Sequence, residues 1–140
     1  FRSHDNYRSV SQFLSKAQLY SDSEVERLIS SGYTVSWQDA IRFPLSDFLK
    51  VYFAQNGYKD GLHGLVLSLL QSTHALFVFA KCWERQSFPA RDIALYEISD
   101  EISRGEKEMR YWIIEKKLTQ TNSFVLRTLL KIRRLYAKAF

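Results

Sequence analysis

Residues 62–80 constrain the fold most, because they contain no Asp, Glu, Lys or Arg in a chain of which these types make up 25%. As a helix, about 20 residues rising 1.5 Å each would reach across the hydrocarbon core of a bilayer. The ten strongly apolar residues of the run favour insertion by only roughly 3 to 6 kcal/mol, and two His, one Gln and three hydroxyls offset much of that. We therefore predict a helix that lies in the membrane interface, or is buried in protein, rather than one that spans.

The same run has a narrow polar side. At about 100° per residue, six positions fall on one arc of roughly 100°: Asp60, His63, Gly64, Gln71, His74 and Lys81. The rest of the helix is mainly Leu, Val, Phe and Ala. The pattern predicts an amphipathic helix with a very wide apolar face.

Helices are also predicted on either side of this run, because the chain has only two prolines and five glycines. Ser9 begins a capping box, and residues 21–24 are expected to kink or restart the helix that follows. A short helix is predicted from Ser36, and a third helix is predicted to carry Pro44 in its first turn and a left-handed cap at Gly57. With no alternating strand pattern, the fold class is predicted to be all-α.

Residues 89–140 differ in pattern from residues 1–88, so we place a boundary between them. Seven positions step alternately by three and four, which is a heptad seam: Leu95, Ile98, Ile102, Gly105, Met109, Trp112 and Lys116. Because the seam is short, it predicts a helical hairpin with the last helix. The apolar stripe expected to pack in that hairpin is Val125, Leu126, Leu129, Leu130, Ile132 and Tyr136.

The net charge of +5 is concentrated at the end of the chain. Residues 115–140 hold seven Lys or Arg and one acid, whereas the other residues hold 13 basic and 14 acidic side chains. A basic end predicts an anionic surface as partner. Phospholipid is favoured and nucleic acid is not expected, since no DNA-reading motif is present and the aromatic residues follow apolar stripes.

Motifs for catalysis are not found. Gly57, Gly61 and Gly64 lack the spacing of a phosphate-binding loop, and the Cys and His residues lack zinc spacing. The single cysteine, Cys82, rules out a disulfide within the chain and fits a reducing compartment.

Residues 1–88 contain an ordered set of features. A His-containing segment comes first, then a helix with Lys and Tyr, a Phe-rich helix, an aromatic–x–Asp–Gly–x–x–Gly turn and an apolar helix that ends near Trp-Glu. The residues concerned are His4, Lys16, Tyr20, Pro44, Phe48, Tyr52, Gly57, Tyr58, Asp60, Gly61, Gly64, Lys81, Trp83 and Glu84. This order resembles the C-terminal part of bacterial family 2 glycosyltransferases, of the kind acting in lipopolysaccharide core and related envelope glycan synthesis.

The resemblance implies a C-terminal fragment of an enzyme. Its nucleotide-sugar-binding α/β domain, of the GT-A type, and the acidic motif for Mg²⁺ or Mn²⁺ would precede the fragment, which alone is expected to be inactive. His4 would close the donor-phosphate and metal end of that domain. Without the resemblance, His4 would be interpreted as an ordinary polar loop residue. Lys16 and Tyr20, one helical turn apart, would contact an acceptor phosphate. Without the resemblance, the two residues would be interpreted as part of a solvent-exposed helix face.

The turn before the apolar helix also acquires a role from the resemblance. Tyr58, Asp60 and Gly61 would lie at the mouth of the acceptor cleft. Without the resemblance, Asp60 is an ordinary helix N-cap, and both readings are compatible. Residues 89–140 lie outside the resemblance and are expected to be a variable tail.

Two functions are therefore predicted. The first is the membrane-docking end of a nucleotide-sugar-dependent glycosyltransferase, at the cytoplasmic face of the bacterial inner membrane, which also helps to shape the site for a lipid-linked acceptor. The alternative is a non-enzymatic helical module that binds a membrane or a protein partner. The residues expected to face an anionic membrane are Phe48, Leu69, Leu76, Phe77, Arg127, Lys131, Arg133 and Arg134.

Overall fold

The computed structural model describes residues 9–121 and 124–139, and within these ranges it contains helices and no strand. The all-α prediction is therefore confirmed. The elements are α1 (Val10–Ser30), α2 (Asp39–Leu49), a π-helical turn (Lys50–Ala54), a 3₁₀ turn (Gly57–Asp60), α3 (Gly61–Arg85), α4 (Leu95–Gln120) and α5 (Phe124–Ala139). They form two compact units that divide between Asp92 and Ile93.

Helix α1 is continuous, so the expected restart at residues 21–24 is wrong, while the alternative, a kink there, stays a prediction. The predicted N-cap is present, since the Ser9 hydroxyl accepts a hydrogen bond from the Gln12 N–H at 3.1 Å. The Ser21 hydroxyl donates to the Gln18 carbonyl within the same helix, at 2.8 Å. A serine bonded in this way can remain inside a helix, and such bonds often bend the helix without breaking it.

Helix α2 replaces the two helices predicted between residues 36 and 57. Pro44 lies inside it rather than in a first turn, and the π-helical turn follows, closed by a 2.9 Å bond from the Gln55 N–H to the Lys50 carbonyl. The left-handed residue is Asn56, with φ 63°, and not Gly57. Asparagine tolerates this conformation better than most residues, which is why a glycine is not required there.

Gly57 and Gly64 are needed for a different reason, which is close approach. A Cβ added at Gly64 would lie 1.9 Å from the Gly57 carbonyl oxygen, and one added at Gly57 would lie 2.9 Å from the Val51 oxygen. Gly64 therefore lets the 3₁₀ turn sit directly on the first turn of α3, and Gly57 lets the 3₁₀ turn lie close to the π-helical turn.

The core of the first unit lies where α1 crosses the second half of α3. Val25, Val78 and Cys82 are buried together, with Tyr33 among the half-buried residues packed on them. The Tyr33 hydroxyl donates a 2.7 Å hydrogen bond to Asp39, which connects the segment between α1 and α2 to the first residue of α2.

Alkaline pH is expected to destabilise this unit through Tyr33. Burial, then the hydrogen bond to Asp39, raises the pKa of Tyr33. The folded state thus holds the phenolic proton more tightly, so this contribution is fully present below the unfolded tyrosine pKa of about 10 and is lost as pH rises above it. In thermal melts between about pH 10 and 12, the midpoint should fall more steeply in the wild type than in Tyr33→Phe, and equal slopes would contradict this linkage.

The second unit is the predicted hairpin of α4 and α5, but its packing differs from the predicted seam. Gly105 is buried as expected, whereas Ile102 is exposed and Glu101 is buried instead. In α5, Leu130 is buried while Leu126, Leu129 and Ile132 are exposed, so most of the described part of the predicted stripe does not face α4. Val125 and Tyr136 lie outside the side chains that the structure describes.

Candidate membrane-facing surface

Four of the six polar-arc positions, Gly64, Gln71, His74 and Lys81, face the interior of the first unit, whereas Asp60 and His63 are exposed. At the C-terminal end of the arc, the Lys81 ammonium contacts three oxygen atoms of α1: Asp22 Oδ1 at 2.6 Å, Ser21 Oγ at 2.7 Å and the Gln18 carbonyl at 3.3 Å. Arg85 pairs with Glu26 one turn further on. The charged side chains of Lys81 and Arg85, which follow the uncharged run, therefore point toward α1.

The middle of the arc is also turned inward. His74 is buried, and its Nε2 lies 3.8 Å from a Glu24 carboxylate oxygen of α1. Gln71 donates a 3.4 Å hydrogen bond to Asp47 of α2. The other buried positions of α3 are mainly small: Gly64, Ser68, Ala75, Val78 and Cys82. Helix α3 thus packs on α1 and α2 mainly through polar and small residues, together with Val78 and with Phe79, whose ring meets Phe43 of α2 edge-on.

Six of the eleven large apolar residues of α3 are exposed and share one surface with Thr73 and Ala80, whereas Leu65, Leu67, Leu70 and Phe79 are half-buried and Val78 is buried. We call this surface the open face, and its members are Leu62, Val66, Leu69, Thr73, Leu76, Phe77, Ala80 and Trp83, all exposed. Leu62 is 76% exposed, Leu69 50% and Phe77 45%. At 100° per residue they lie on one side of the helix along its whole length.

A helix on the surface of a soluble protein turns its apolar stripe toward the core, whereas α3 also leaves a continuous apolar stripe exposed. Small residues at helix contacts with large apolar residues outside are instead typical of helices in lipid. Continuous exposed apolar surfaces of this kind mark sites of membrane or protein interaction. The open face is therefore the candidate functional surface of the first unit.

The geometry favours a helix lying in the interface over a span. Among the described residues one helical segment, Gly57–Arg85, is long and apolar enough to cross a membrane by length and composition, with a mean hydropathy of 1.5 in its best window. However, Lys81 and Arg85 hold α3 against the charged stretch of α1 that contains Asp22 and Glu26. A span would also carry Glu24 of α1, whose carboxylate lies 3.8 Å from His74 inside the uncharged run, into the hydrocarbon, where a charge costs about 2.5–3.5 kcal/mol at the centre.

Helix α5 presents a second amphipathic surface. Leu126, Leu129, Ile132 and Leu135 are exposed, as are Arg127, Lys131 and Arg133. Arg134 is different, because it forms a 2.7 Å ion pair with Glu115 of α4. The hydrogen bond to Glu115 raises the pKa of the Arg134 guanidinium and so keeps it charged. The Glu115 carboxylate nevertheless offsets that charge, which argues against the predicted membrane role of Arg134.

The residues predicted on the acceptor side fall into two separate places. Lys16 and Tyr20 lie one turn apart on α1, near its contact with Lys81. Asp60 precedes α3, and the 21 residues from there to Lys81 span about 30 Å of helix. The structure therefore does not bring Lys16 and Tyr20 together with the 58–61 turn.

The turn itself has a structural explanation. Asp60 occupies the N-cap position, but its side chain makes no capping hydrogen bond, so the capping prediction is wrong in that respect. Gly61 has φ 56°, a conformation that favours glycine. Tyr58 contacts the Tyr52 ring edge-on, with ring centroids 6.4 Å apart.

Phe48 belongs to this aromatic cluster and not to the open face. Its ring stacks on Tyr52 at 5.3 Å, and it is half-buried. Its predicted role as a membrane contact is therefore not supported by its position.

His4, the residue predicted at the donor and metal end, lies outside the described residues. Among those described, no group of three or more His, Cys, Asp or Glu side chains is placed to hold a metal ion. The described part of the chain thus offers no ligand set for the Mg²⁺ or Mn²⁺ that the resemblance implies for the whole enzyme.

Sequence reasoning missed several members of the exposed surface. Leu62, Val66 and Trp83 are on the open face, and Phe88 is exposed just beyond α3. The helical wheel that identified the polar arc would have found the first three, because they lie opposite to it. The position of Phe88 depends on backbone angles that the sequence did not indicate.

Comparison of the chain with protein-family models, with curated proteins and with solved structures gives no match. The resemblance to family 2 glycosyltransferases therefore stays a prediction.

Proposed function

We propose that this chain docks peripherally to a membrane, with the open face of α3 in the interface and the basic surface of α5 on anionic headgroups. The observation that supports this most is the orientation of α3, whose Gln71 and Lys81 are bonded to α2 and α1 while six of its large apolar residues are exposed along one side. A helix with this orientation needs an apolar environment outside the protein.

The two surfaces contribute different kinds of free energy. Burial of apolar area at the open face is insensitive to salt, at about 25 cal/mol per Å². Each Lys or Arg of α5 that reaches an anionic surface adds on the order of 1 kcal/mol, which salt screens within a Debye length. Binding is therefore expected to have a salt-resistant and a salt-sensitive part.

Replacing Arg127, Lys131 and Arg133 together with Gln tests the second part. We expect roughly 100-fold weaker binding to anionic vesicles at low salt and a flatter salt dependence, because about 3 kcal/mol of attraction is removed. Co-sedimentation at two salt concentrations measures this. Arg134 is left unchanged because its ion pair with Glu115 supports the hairpin.

The control replaces Arg104, Lys107 and Arg110 of α4, three cations outside α5, with Gln. This variant loses the same charge and should keep most of the binding. If both triple variants weaken binding equally, net charge matters and the surface of α5 does not.

We further propose that the docked protein is a glycosyltransferase whose acceptor is held in the bilayer. The ordered residues from Lys16 to Glu84 and the open face support this, since an enzyme acting on a lipid-linked acceptor must work at that surface. A strand followed by paired acidic residues, found upstream in the open reading frame, would support the proposal. A frame without such a domain would favour the non-enzymatic module.

A further inference from the structure

A groove lies between α1 and the C-terminal half of α3. Its volume is about 560 Å³, within the range of small-molecule sites. Leu14 of α1 forms one wall, and Phe77, Ala80 and Trp83 of α3 form the other. Because those three α3 residues also belong to the open face, the groove opens onto the surface proposed for docking.

The ammonium group of Lys81 and the hydroxyl group of Ser21, which line the groove, are already bonded within the protein. An ammonium group has three donors, and Lys81 has three acceptors, in Gln18, Ser21 and Asp22. The Ser21 hydroxyl in turn donates to the Gln18 carbonyl. These groups offer no strong donor to a ligand, so the occupant must bind mainly through hydrocarbon.

Two aromatic rings form the rim of the groove. Trp83 and Phe88 meet edge-on, with ring centroids 4.8 Å apart. Ser87 and Phe88 both have positive φ, 63° and 52°, and the Phe88 N–H donates to the Trp83 carbonyl at 3.0 Å. This reversal folds Phe88 back on Trp83 while both rings stay exposed, an arrangement suited to the boundary between hydrocarbon and water.

We propose that the groove holds one acyl chain of a zwitterionic phospholipid from the bilayer on which α3 lies, an inference that rests on the proposed docking. The charges at the rim favour this lipid class. Lys81 is matched by Asp22, whereas Glu84, which also lines the groove, is exposed. That carboxylate repels a fatty-acid carboxylate and attracts a choline or ethanolamine ammonium.

Calorimetric titration of the whole chain with lysophosphatidylcholines of increasing chain length, each below its micelle concentration, tests the proposal. Affinity should rise about fourfold per added methylene until the groove is full. Glycerophosphocholine should not bind, and a fatty acid of equal chain length should bind at least tenfold more weakly. Affinity that does not depend on chain length, or equal binding of the fatty acid, would overturn the proposal.

A groove-filling variant separates this site from docking itself. Leu14→Trp, on the α1 wall of the groove and outside the open face, should lower lysophosphatidylcholine affinity more than tenfold while vesicle co-sedimentation persists, because the open face is unchanged. Leu19→Trp, at an exposed position of α1 that does not line the groove, should retain both. Wild-type vesicle binding without lysophosphatidylcholine binding would overturn the groove alone, and the reverse result would overturn the docking function alone.

Discussion

Serine at Leu69, Leu76 and Phe77 together is expected to lower the affinity for vesicles by 100- to 1000-fold. The three side chains are 50%, 41% and 45% exposed, so each loses roughly 1 kcal/mol of burial in the interface, to which the cost of burying a hydroxyl is added. The salt-resistant part of binding should disappear. Co-sedimentation at high salt measures this, since the contribution of α5 is then screened.

The fold of this variant should be retained, because none of the three residues is in the core, and circular dichroism checks this. Leu95→Ser with Ile102→Ser is the control, since it removes exposed apolar residues from α4 instead of α3. Unchanged high-salt binding of the folded triple variant would show that the open face does not contact the bilayer.

Gly64→Ala is expected to destabilise the first unit by about 3 kcal/mol or more. Helix propensity alone predicts the opposite sign, a gain of about 1 kcal/mol. However, the new Cβ would lie 1.9 Å from the Gly57 carbonyl oxygen, so the backbone of the 3₁₀ turn must move. A loss of this size corresponds to a melting temperature lower by roughly 15 °C.

Thermal unfolding followed by circular dichroism tests this prediction. Thr73→Ala, at an exposed position of the same helix, should change stability by no more than about 0.5 kcal/mol. Gly57→Ala should have an intermediate effect, since its closest contact is 2.9 Å. A neutral or stabilising Gly64→Ala would contradict the close approach of the two glycines.

Local sequence patterns predicted the helices and the two arcs of α3, because both depend on the 3.6-residue period. They did not predict which arc faces the interior. That choice depends on contacts between distant residues, such as Lys81 with Asp22, which satisfy polar groups that would otherwise face water. Gly64 and Ser68 are small enough to let α3 pack closely on its neighbours. A helical wheel, however, does not indicate whether small residues face the interior or the solvent.

The errors in α2, α4 and α5 have similar causes. Pro44 favours the first turn of a helix by propensity, yet α2 starts earlier and keeps it inside. In the hairpin, Glu101 is buried where Ile102 was expected, and Leu130 packs while Leu129 does not. The period of the apolar residues identifies the buried face of a helix to within about one residue. Packing against the partner helix then determines which residue is buried.

The most direct test of the account is the depth of α3 in the bilayer. Spin labels on single cysteines at Leu62, Leu69 and Leu76 sample about 21 Å of helix. Native Cys82 is fully buried, and its pKa is raised by burial and by the nearby Glu24 charge, so it should not react with the label. We expect all three labels at a similar depth of about 5–10 Å on binding to anionic vesicles. Depths that change steadily along the helix would indicate a span, and labels that stay accessible to water would show that α3 does not face the membrane.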